Sequence, residues 1–347
     1  MGINQTIFDS IKDLLNTYDD KGYYCNKDDI ESFLKTREFT KRQKAVISII
    51  GKIMTTHGKK PLIGTISELA RVEYGTRELK PFVRDHVVHA MLSFLLGIYI
   101  NENLLKLSHC DVKPFPWKVA GLFHDIGYPM QIASNIHEPF TKKINEIKRD
   151  LGVSAPDVSF KVIPEGLDKL TYGANTLELF QDQLDKWELK IDANKEYKAM
   201  VDSGQISHGI ISSLSVLHVI DLMYQKYNPE RKDECTDQYD IPWGQLYFKN
   251  DVVPACAAIF VHDLDHCLKK SPLDRKRAPL AFLLKLSDCL QEWERPNADQ
   301  HIGVSNDRFG IHIANGKLEF TVDDKKRRDK IEKEIKSSLV APDIEVV

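Results

Sequence analysis

Apolar residues recur at helical spacing along most of the chain. In Ile3–Asn16 they fall every three or four residues, the period of an amphipathic helix. The same spacing predicts helices over Asn26–Lys35, Thr40–Thr56, Thr65–Tyr74, Phe82–Ile100, Trp117–His124, Leu167–Lys190, Gln205–Tyr227, Val252–Leu268 and Lys276–Trp293. Residues 150–166 and 228–251, which are rich in Pro and polar side chains, are predicted as loops. The pattern therefore favours an all-α body.

Capping and breaking residues set several of these boundaries. Asn26 is a suitable N-cap for the second helix. Pro81 suits the first turn of the long apolar helix that follows it. Gly127-Tyr128-Pro129 is expected to stop the helix that carries His124.

The C-terminal tail has a different pattern. Phe309–Ile313 and Lys317–Val322 alternate between apolar and polar residues and are joined by Ala314-Asn315-Gly316, a strong hairpin signature. The charged segment Asp323–Leu339 is predicted as a helix. We expect three parts: an N-terminal helical segment (1–80) packed on the core, a helical core (81–300), and a small β-hairpin and helix appendage (301–347).

Composition narrows the class of protein. The 347 residues are 42% apolar and 29% charged, with a net charge of −3, which fits a globular chain and excludes a disordered one. A charge so near zero provides no global field for nucleic acid, which is therefore not an expected partner. The longest apolar run, Ala90–Ile100, is about half a bilayer span, and Met1–Asp20 lacks a signal-peptide pattern, so no membrane is expected. We expect a cytoplasmic protein whose six cysteines, without any C-x-x-C pair, are free thiols.

Five apolar segments carry imidazoles or carboxylates. They are Arg84–Ala90, Gly121–Gly127, Ser207–Gly209, Ile259–Asp263 and Leu283–Asp288. Such groups cost several kcal/mol in an apolar interior unless they are paired or bind a metal. Neutral imidazoles and carboxylates suit Mn, Fe, Co, Zn or Mg.

The adjacent pair His124-Asp125 indicates two metal ions rather than one. Neighbouring side chains on a helix point about 100° apart, so a compact single site does not easily use both. With two ions, the Asp carboxylate bridges while the His binds one of them. Two metals about 3.5–4 Å apart can clamp a phosphoryl group and generate hydroxide at neutral pH.

The ordered set His, His-Asp, His, His, Asp on apolar helices resembles the HD-domain superfamily of metal-dependent phosphohydrolases. The resemblance covers roughly residues 82–295, with Gly-Leu-Phe-His-Asp-Ile-Gly (121–127) and Leu-Leu-Lys-Leu-Ser-Asp-Cys-Leu-Gln (283–291) close to the central and final motifs. It implies two divalent metal ions held by His89, His124, Asp125, His208, His262 and Asp288. His89 is preferred to His86 as first ligand, because Ser93 and Gly97 then match the family's small positions, but the two could be exchanged.

The resemblance also implies catalytic roles. His86 resembles the acid that protonates the leaving group, although its spacing is one residue short. Asp125 would hold the bridging hydroxide, and the cations Lys285 and Arg84 would stabilise the phosphate charge. Tyr128 stands where a cyclic-dinucleotide subfamily has Lys, which argues against that substrate.

The expected function is hydrolysis of a phosphoester in a nucleotide or related phosphorylated metabolite, through a metal-bridging hydroxide. Two alternatives remain open. One is a di-iron oxygenase of the same superfamily, which has the same ligand order. The other is a catalytically silent nucleotide-sensing module. The sequence leaves the oligomeric state open, and a homo-oligomer would be compatible with it.

Overall fold

The fold is that of a computed structural model. It describes residues 3–16, 23, 26–55, 62–77, 85–152, 154, 156–157, 165–170, 174–227, 248–293 and 308–347. Among these residues helices dominate, and the short strands belong almost entirely to the C-terminal part.

Among the described residues, four helices form the N-terminal part and a helical bundle forms the centre. The N-terminal helices are α1 (Ile3–Asn16), α2 (Lys27–Lys35), α3 (Phe39–Thr55) and α4 (Leu62–Arg77). The central helices are α5 (His86–Ile100), α6 (Pro114–Phe123), α7 (Tyr128–Asp150), α8 (Thr176–Lys186), α9 (Ala193–Ser203), α10 (His208–Tyr227), α11 (Val253–His262), α12 (Asp265–Leu268) and α13 (Pro279–Leu290). A π-helical turn and a short 3-10 turn extend α5 to Ser108, and a second π-helical turn, Phe248–Val252, leads into α11.

The C-terminal part joins strands to one helix. It contains β2 (Phe309–Ala314), β3 (Lys317–Val322), α14 (Lys325–Ser338), β4 (Leu339–Val340) and β5 (Ile344–Val346), while β1 (Leu273–Asp274) precedes α13. Strands β2 and β3 form an antiparallel hairpin, and β5 adds to β3 in parallel. Strand β4 pairs in parallel with β1, which fastens the tail to the helical body.

One continuous apolar core extends through all three parts. It runs from Ile3 in α1 to Leu339 in β4. Helix α5 lies at its centre, since α1, α3, α4, α6 and α13 all pack against it, and every residue of α5 is buried. By length and composition alone, His86–Ser108 could cross a membrane, but 89% of its apolar window is buried within the protein. Its apolarity is therefore that of a core helix.

Helices α5 and α6 approach closely because of a glycine. The indole of Trp117 is fully buried and donates its Nε1 hydrogen to the Phe94 carbonyl over 3.2 Å. A Cβ atom at Gly97 would lie 1.9 Å from the Trp117 ring. Gly97 is thus required by the contact between the helices that carry His89 and His124.

The all-α body and the hairpin are confirmed, as are the Asn26 cap and the hairpin turn. Asn26 accepts hydrogen bonds from the amides of Asp28 and Asp29. Asn315 and Gly316 both have positive φ, 52° and 73°, as a two-residue hairpin turn requires. The predicted appendage lacked β4 and β5, because two- and three-residue strands leave no periodic pattern. The HD-type fold and the three domain boundaries stay predictions.

Several helix boundaries were wrong. Helix α5 begins at His86 with Asp85 as its N-cap, because the Asp85 carboxylate accepts a hydrogen bond from the Val88 amide. Pro129 lies in the first turn of α7, so it starts a helix after the turn that ends α6. The predicted Leu167–Lys190 helix is reduced to α8, since Lys169 and Asn175 pair in an isolated bridge before it.

Replacing Gly97 by Ala should lower the free energy of unfolding by about 3 kcal/mol, since a buried indole cannot move aside without strain. Urea denaturation followed by circular dichroism measures this. Gly64→Ala is the matched control, because a Cβ there meets nothing within 4 Å. That control should leave stability unchanged or raise it by up to about 1 kcal/mol. Equal effects of the two substitutions would contradict the close approach of α5 and α6.

Candidate metal centre

Ends of helices bring the predicted ligands together. His124 and Asp125 lie in the turn after α6, His208 is the first residue of α10, and His262 is the last residue of α11. His89 and Asp288 project from within α5 and α13. The unpredicted break between α11 and α12, at residues 263–264, leaves His262 at a helix end.

His89, His124 and Asp288 form one group. The His89 Nε2 atom lies 2.9 Å from an Asp288 carboxylate oxygen and 3.2 Å from the His124 Nε2 atom. The same Asp288 oxygen is 4.0 Å from His124 Nε2. His208 and His262 form a second group, with their Nε2 atoms 3.2 Å apart.

Asp125 stands between these two groups. Its Oδ1 atom is 3.6 Å from His124 Nε2, 3.4 Å from His208 Nε2 and 3.9 Å from His262 Nε2. Its Oδ2 atom is 3.7 Å from His89 Nε2. The carboxylate is almost completely buried, so these four imidazoles are its immediate polar surroundings. One carboxylate is therefore shared by two clusters of metal-ligating atoms.

Hydrogen bonds at the other ring nitrogens orient these imidazoles. The Nδ1 atoms of His124 and His262 lie 3.1 and 2.5 Å from the backbone carbonyls of Gly121 and Ile259. A carbonyl only accepts, so both Nδ1 atoms carry the hydrogen and donate it. In the neutral rings this leaves a lone pair on each Nε2, the tautomer that binds metals.

Two glutamines orient the other two imidazole rings, those of His89 and His208, through their Nδ1 atoms. His89 Nδ1 contacts Gln291 Oε1, and His208 Nδ1 lies 2.9 Å from Gln131 Oε1. His208 Nδ1 is also 3.2 Å from Asp263, whose carboxylate accepts a hydrogen bond from Ser207. Neither glutamine was predicted. Gln291 lies three residues after Asp288, one helical turn away, and that spacing was the available indication.

The donor set fits metal cations. Two neutral imidazoles whose Nε2 lone pairs face each other at 3.2 Å need a positive charge between them, either a proton or a metal ion. Nitrogen and oxygen ligands of a tetrahedral Zn²⁺ are about 3.3–3.6 Å apart, since each bond is about 2.0–2.2 Å long. The separations around Asp125 lie close to this range. A His/Asp set is compatible with Mn, Fe, Co or Zn.

The pKa values follow from burial and mutual attraction. Burial would raise the pKa of Asp125, but His124, His262 and His208 hold it well below its usual value, so the carboxylate is ionised. Burial lowers the pKa of His208 despite the nearby carboxylates. For His262, burial is outweighed by the attraction of the carboxylates of Asp125, Asp288 and Asp263, so its pKa is raised.

His86 lies beside this group, and its charge acts on Asp125. Its Nδ1 atom contacts the buried carboxylate of Glu73 on α4, which also accepts the His86 backbone N–H over 2.8 Å. The ring stacks on Tyr128, with centroids 3.5 Å apart, and Tyr128 in turn lies 4.8 Å from the His208 ring. Of the two histidines on α5, it is His89 whose ring lies next to the predicted ligands His124 and Asp288. Glu73 was missed because no motif surrounds it.

The remaining predicted residues have different outcomes. Lys285 is almost completely buried, and its ammonium donates to Asp265 over 2.8 Å and to Glu334 over 3.0 Å. The Lys285 ammonium is thus paired with two carboxylates, and its contact with phosphate stays a prediction. Arg84 lies outside the described residues. Asp85 caps α5 one turn before His89, and burial followed by the charge of Glu73 raises its pKa to about 7.

Because both clusters share Asp125, its replacement should affect two ions, whereas replacement of His208 should affect one. Relative to the unaltered protein, we expect Asp125→Asn to lose two metal equivalents and His208→Gln to lose about one, as measured by elemental analysis of gel-filtered protein. Asp182→Asn, which removes an exposed carboxylate on α8, should lose none. An Asp125→Asn protein that lost no metal, or as little as His208→Gln, would contradict a shared carboxylate.

Comparison of the chain with family models, with curated protein sequences and with solved structures finds no match. The described residues thus provide an all-α body and a His/Asp cluster able to hold metal ions, as the geometry alone establishes.

Proposed function

We propose that this protein is a metal-dependent phosphohydrolase of the HD-domain type that cleaves a phosphoester of a nucleotide or related phosphorylated metabolite. The observation that carries the proposal is Asp125, a buried carboxylate within 3.4–3.9 Å of four imidazole Nε2 atoms. When bound, two divalent cations supply Lewis-acid charge for the phosphoryl oxygens and a hydroxide nucleophile at neutral pH.

The chain's own residues prepare that chemistry. The ionised Asp125 neutralises part of the charge that two cations would bring into a buried place. The Nδ1 hydrogen bonds hold each ring so that little reorganisation is needed on binding. The apolar walls of α5, α6 and α11 exclude bulk water, which strengthens electrostatic interactions at the site.

Access to the site is on the Asp288 and His208 side. The side chains of His89, His124 and His262 are at most 1% exposed, whereas those of Asp288 and His208 are 19% and 13% exposed. We infer that the phosphate enters between α13 and α10. The nucleotide class of the substrate rests on the resemblance to HD-domain phosphohydrolases.

His86 is the proposed donor of a proton to the leaving oxygen. Glu73 contacts its Nδ1 atom, and a buried carboxylate in that place favours the protonated imidazole. Stacking on Tyr128 fixes the plane of the ring. Glu73 acts through His86 and is therefore a positioning residue.

The proposal is tested by phosphate release from a panel of nucleotides with metal-depleted protein reloaded with Mn²⁺, Co²⁺, Zn²⁺ or Fe²⁺. We expect turnover with at least one metal, its loss on chelation, and its loss in Asp125→Asn but not in Asp182→Asn. Oxygen uptake with iron and no phosphate release would assign the di-iron oxygenase chemistry instead. Tight nucleotide binding without turnover under any metal would identify a sensing module.

Glu73→Gln should slow substrates with poor leaving groups by about 10²-fold or more, since general-acid catalysis contributes about 10²–10⁴. The effect should nearly disappear for an aryl phosphate whose leaving group needs no proton. The pH at which kcat falls to half, as His86 loses its proton, should also move lower. The reason is that an uncharged glutamine at position 73 no longer stabilises the imidazolium as the Glu73 carboxylate does. Equal losses on both substrates, with an unchanged pH profile, would indicate a purely structural Glu73.

A further inference from the structure

A third cluster of metal-ligating atoms lies outside the centre around Asp125. It joins Glu196 on α9 to His266 and Cys267 on α12. His266 Nε2 is 2.8 Å from a Glu196 carboxylate oxygen and 3.3 Å from Cys267 Sγ. Neither motif nor helical period indicated this cluster, because Glu196 lies 70 residues before His266 along the chain.

The separations suit a tetrahedral ion of the zinc type. With Zn–N and Zn–O bonds of about 2.0–2.1 Å and a Zn–S bond of about 2.3 Å, the ligand edges are about 3.3 Å for N···O and about 3.5 Å for N···S. The observed 2.8 and 3.3 Å are slightly shorter, so binding requires these atoms to move outward by a few tenths of an ångström. His266 can move, since its side chain is 65% exposed, whereas that of Glu196 is 12% exposed.

We propose that Glu196, His266 and Cys267 form a separate mononuclear site for Zn²⁺ or a similar transition-metal cation, with solvent completing the fourth position. The mixed carboxylate, imidazole and thiolate set selects a borderline-soft ion and disfavours Mg²⁺ or Ca²⁺. Burial and the Glu196 carboxylate raise the pKa of the Cys267 thiol to about 12, so binding releases its proton to solvent.

Such an ion would tie α9 to the corner that holds part of the Asp125 centre. Helix α12 begins two residues after Asp263, the carboxylate that lies beside His208. Within the described residues, that corner also carries the Asp265 contact to Lys285. The ion would therefore hold α12 in place from the outer side, as a structural crosslink that does not depend on phosphohydrolase activity.

Cobalt distinguishes the two kinds of site, because the ligands around Asp125 are nitrogen and oxygen only. We expect metal-depleted full-length protein to take up Co²⁺ with a sulfur-to-cobalt charge-transfer band in the near ultraviolet. In the Asp125→Asn protein about one equivalent and the same band should remain. Cys267→Ser should abolish the band and remove about one equivalent.

Cys110→Ser is the matched control, since this partly buried thiol donates to the Ser108 carbonyl and belongs to none of the metal-ligating groups among the described residues, and it should keep the band. Glu196→Gln retains the thiol and should weaken cobalt binding by at least about tenfold, as even outer partners of metal ligands contribute that much. It serves as the test if Cys267→Ser fails to fold by circular dichroism. A band that survives Cys267→Ser, or an affinity unchanged in Glu196→Gln, overturns the proposal.

Discussion

The structure depends on one electrostatic constraint: four imidazoles and an ionised carboxylate occupy the same apolar interior. Asp125 is ionised there because His124, His262 and His208 compensate for its burial. Backbone carbonyls at Gly121 and Ile259 decide which ring nitrogen carries the hydrogen, so the Nε2 lone pairs are directed at each other and at Asp125. Positive charge between the facing lone pairs, from a proton or a metal ion, stabilises such an arrangement, which is the physical reason why this cluster is able to hold metal ions.

Helix packing brings the imidazoles and carboxylates of this cluster together. The contact of Gly97 with Trp117 sets how closely α5 approaches α6, and hence where His89 meets His124. The C-terminal part also helps to position the cluster, through its contacts with α13. Glu334 on α14 pairs with Lys285, one turn before Asp288 on α13, and β4 pairs with β1 just ahead of that helix. The tail thereby restrains the helix that carries the most exposed predicted ligand.

The corner between α11 and α12 lies between the cluster around Asp125 and the cluster of Glu196, His266 and Cys267. His262 ends α11, Asp263 lies beside His208, and Asp265 contacts Lys285. Glu196 meets His266 and Cys267 on the outer face of the same corner. A continuous helix over residues 252–268 would have separated these groups, so the break in the helix is a condition of the site rather than an irregularity.

Apolar periodicity determined the helical character of the body, and alternation around Asn315-Gly316 determined the hairpin. The polar residues within apolar helices, together with their resemblance to HD-domain phosphohydrolases, pointed to His89, His124, Asp125, His208, His262 and Asp288. They could do so because a buried imidazole or carboxylate within an oily helix needs a partner, wherever that partner lies. Tertiary structure decided the rest. Glu73, Gln131 and Gln291 are ordinary polar residues until folding places them against a ring nitrogen, and Glu196 acquires its neighbours across 70 residues of chain. Contacts of this range leave no local pattern, since they depend on how helices pack and not on the period within any one of them.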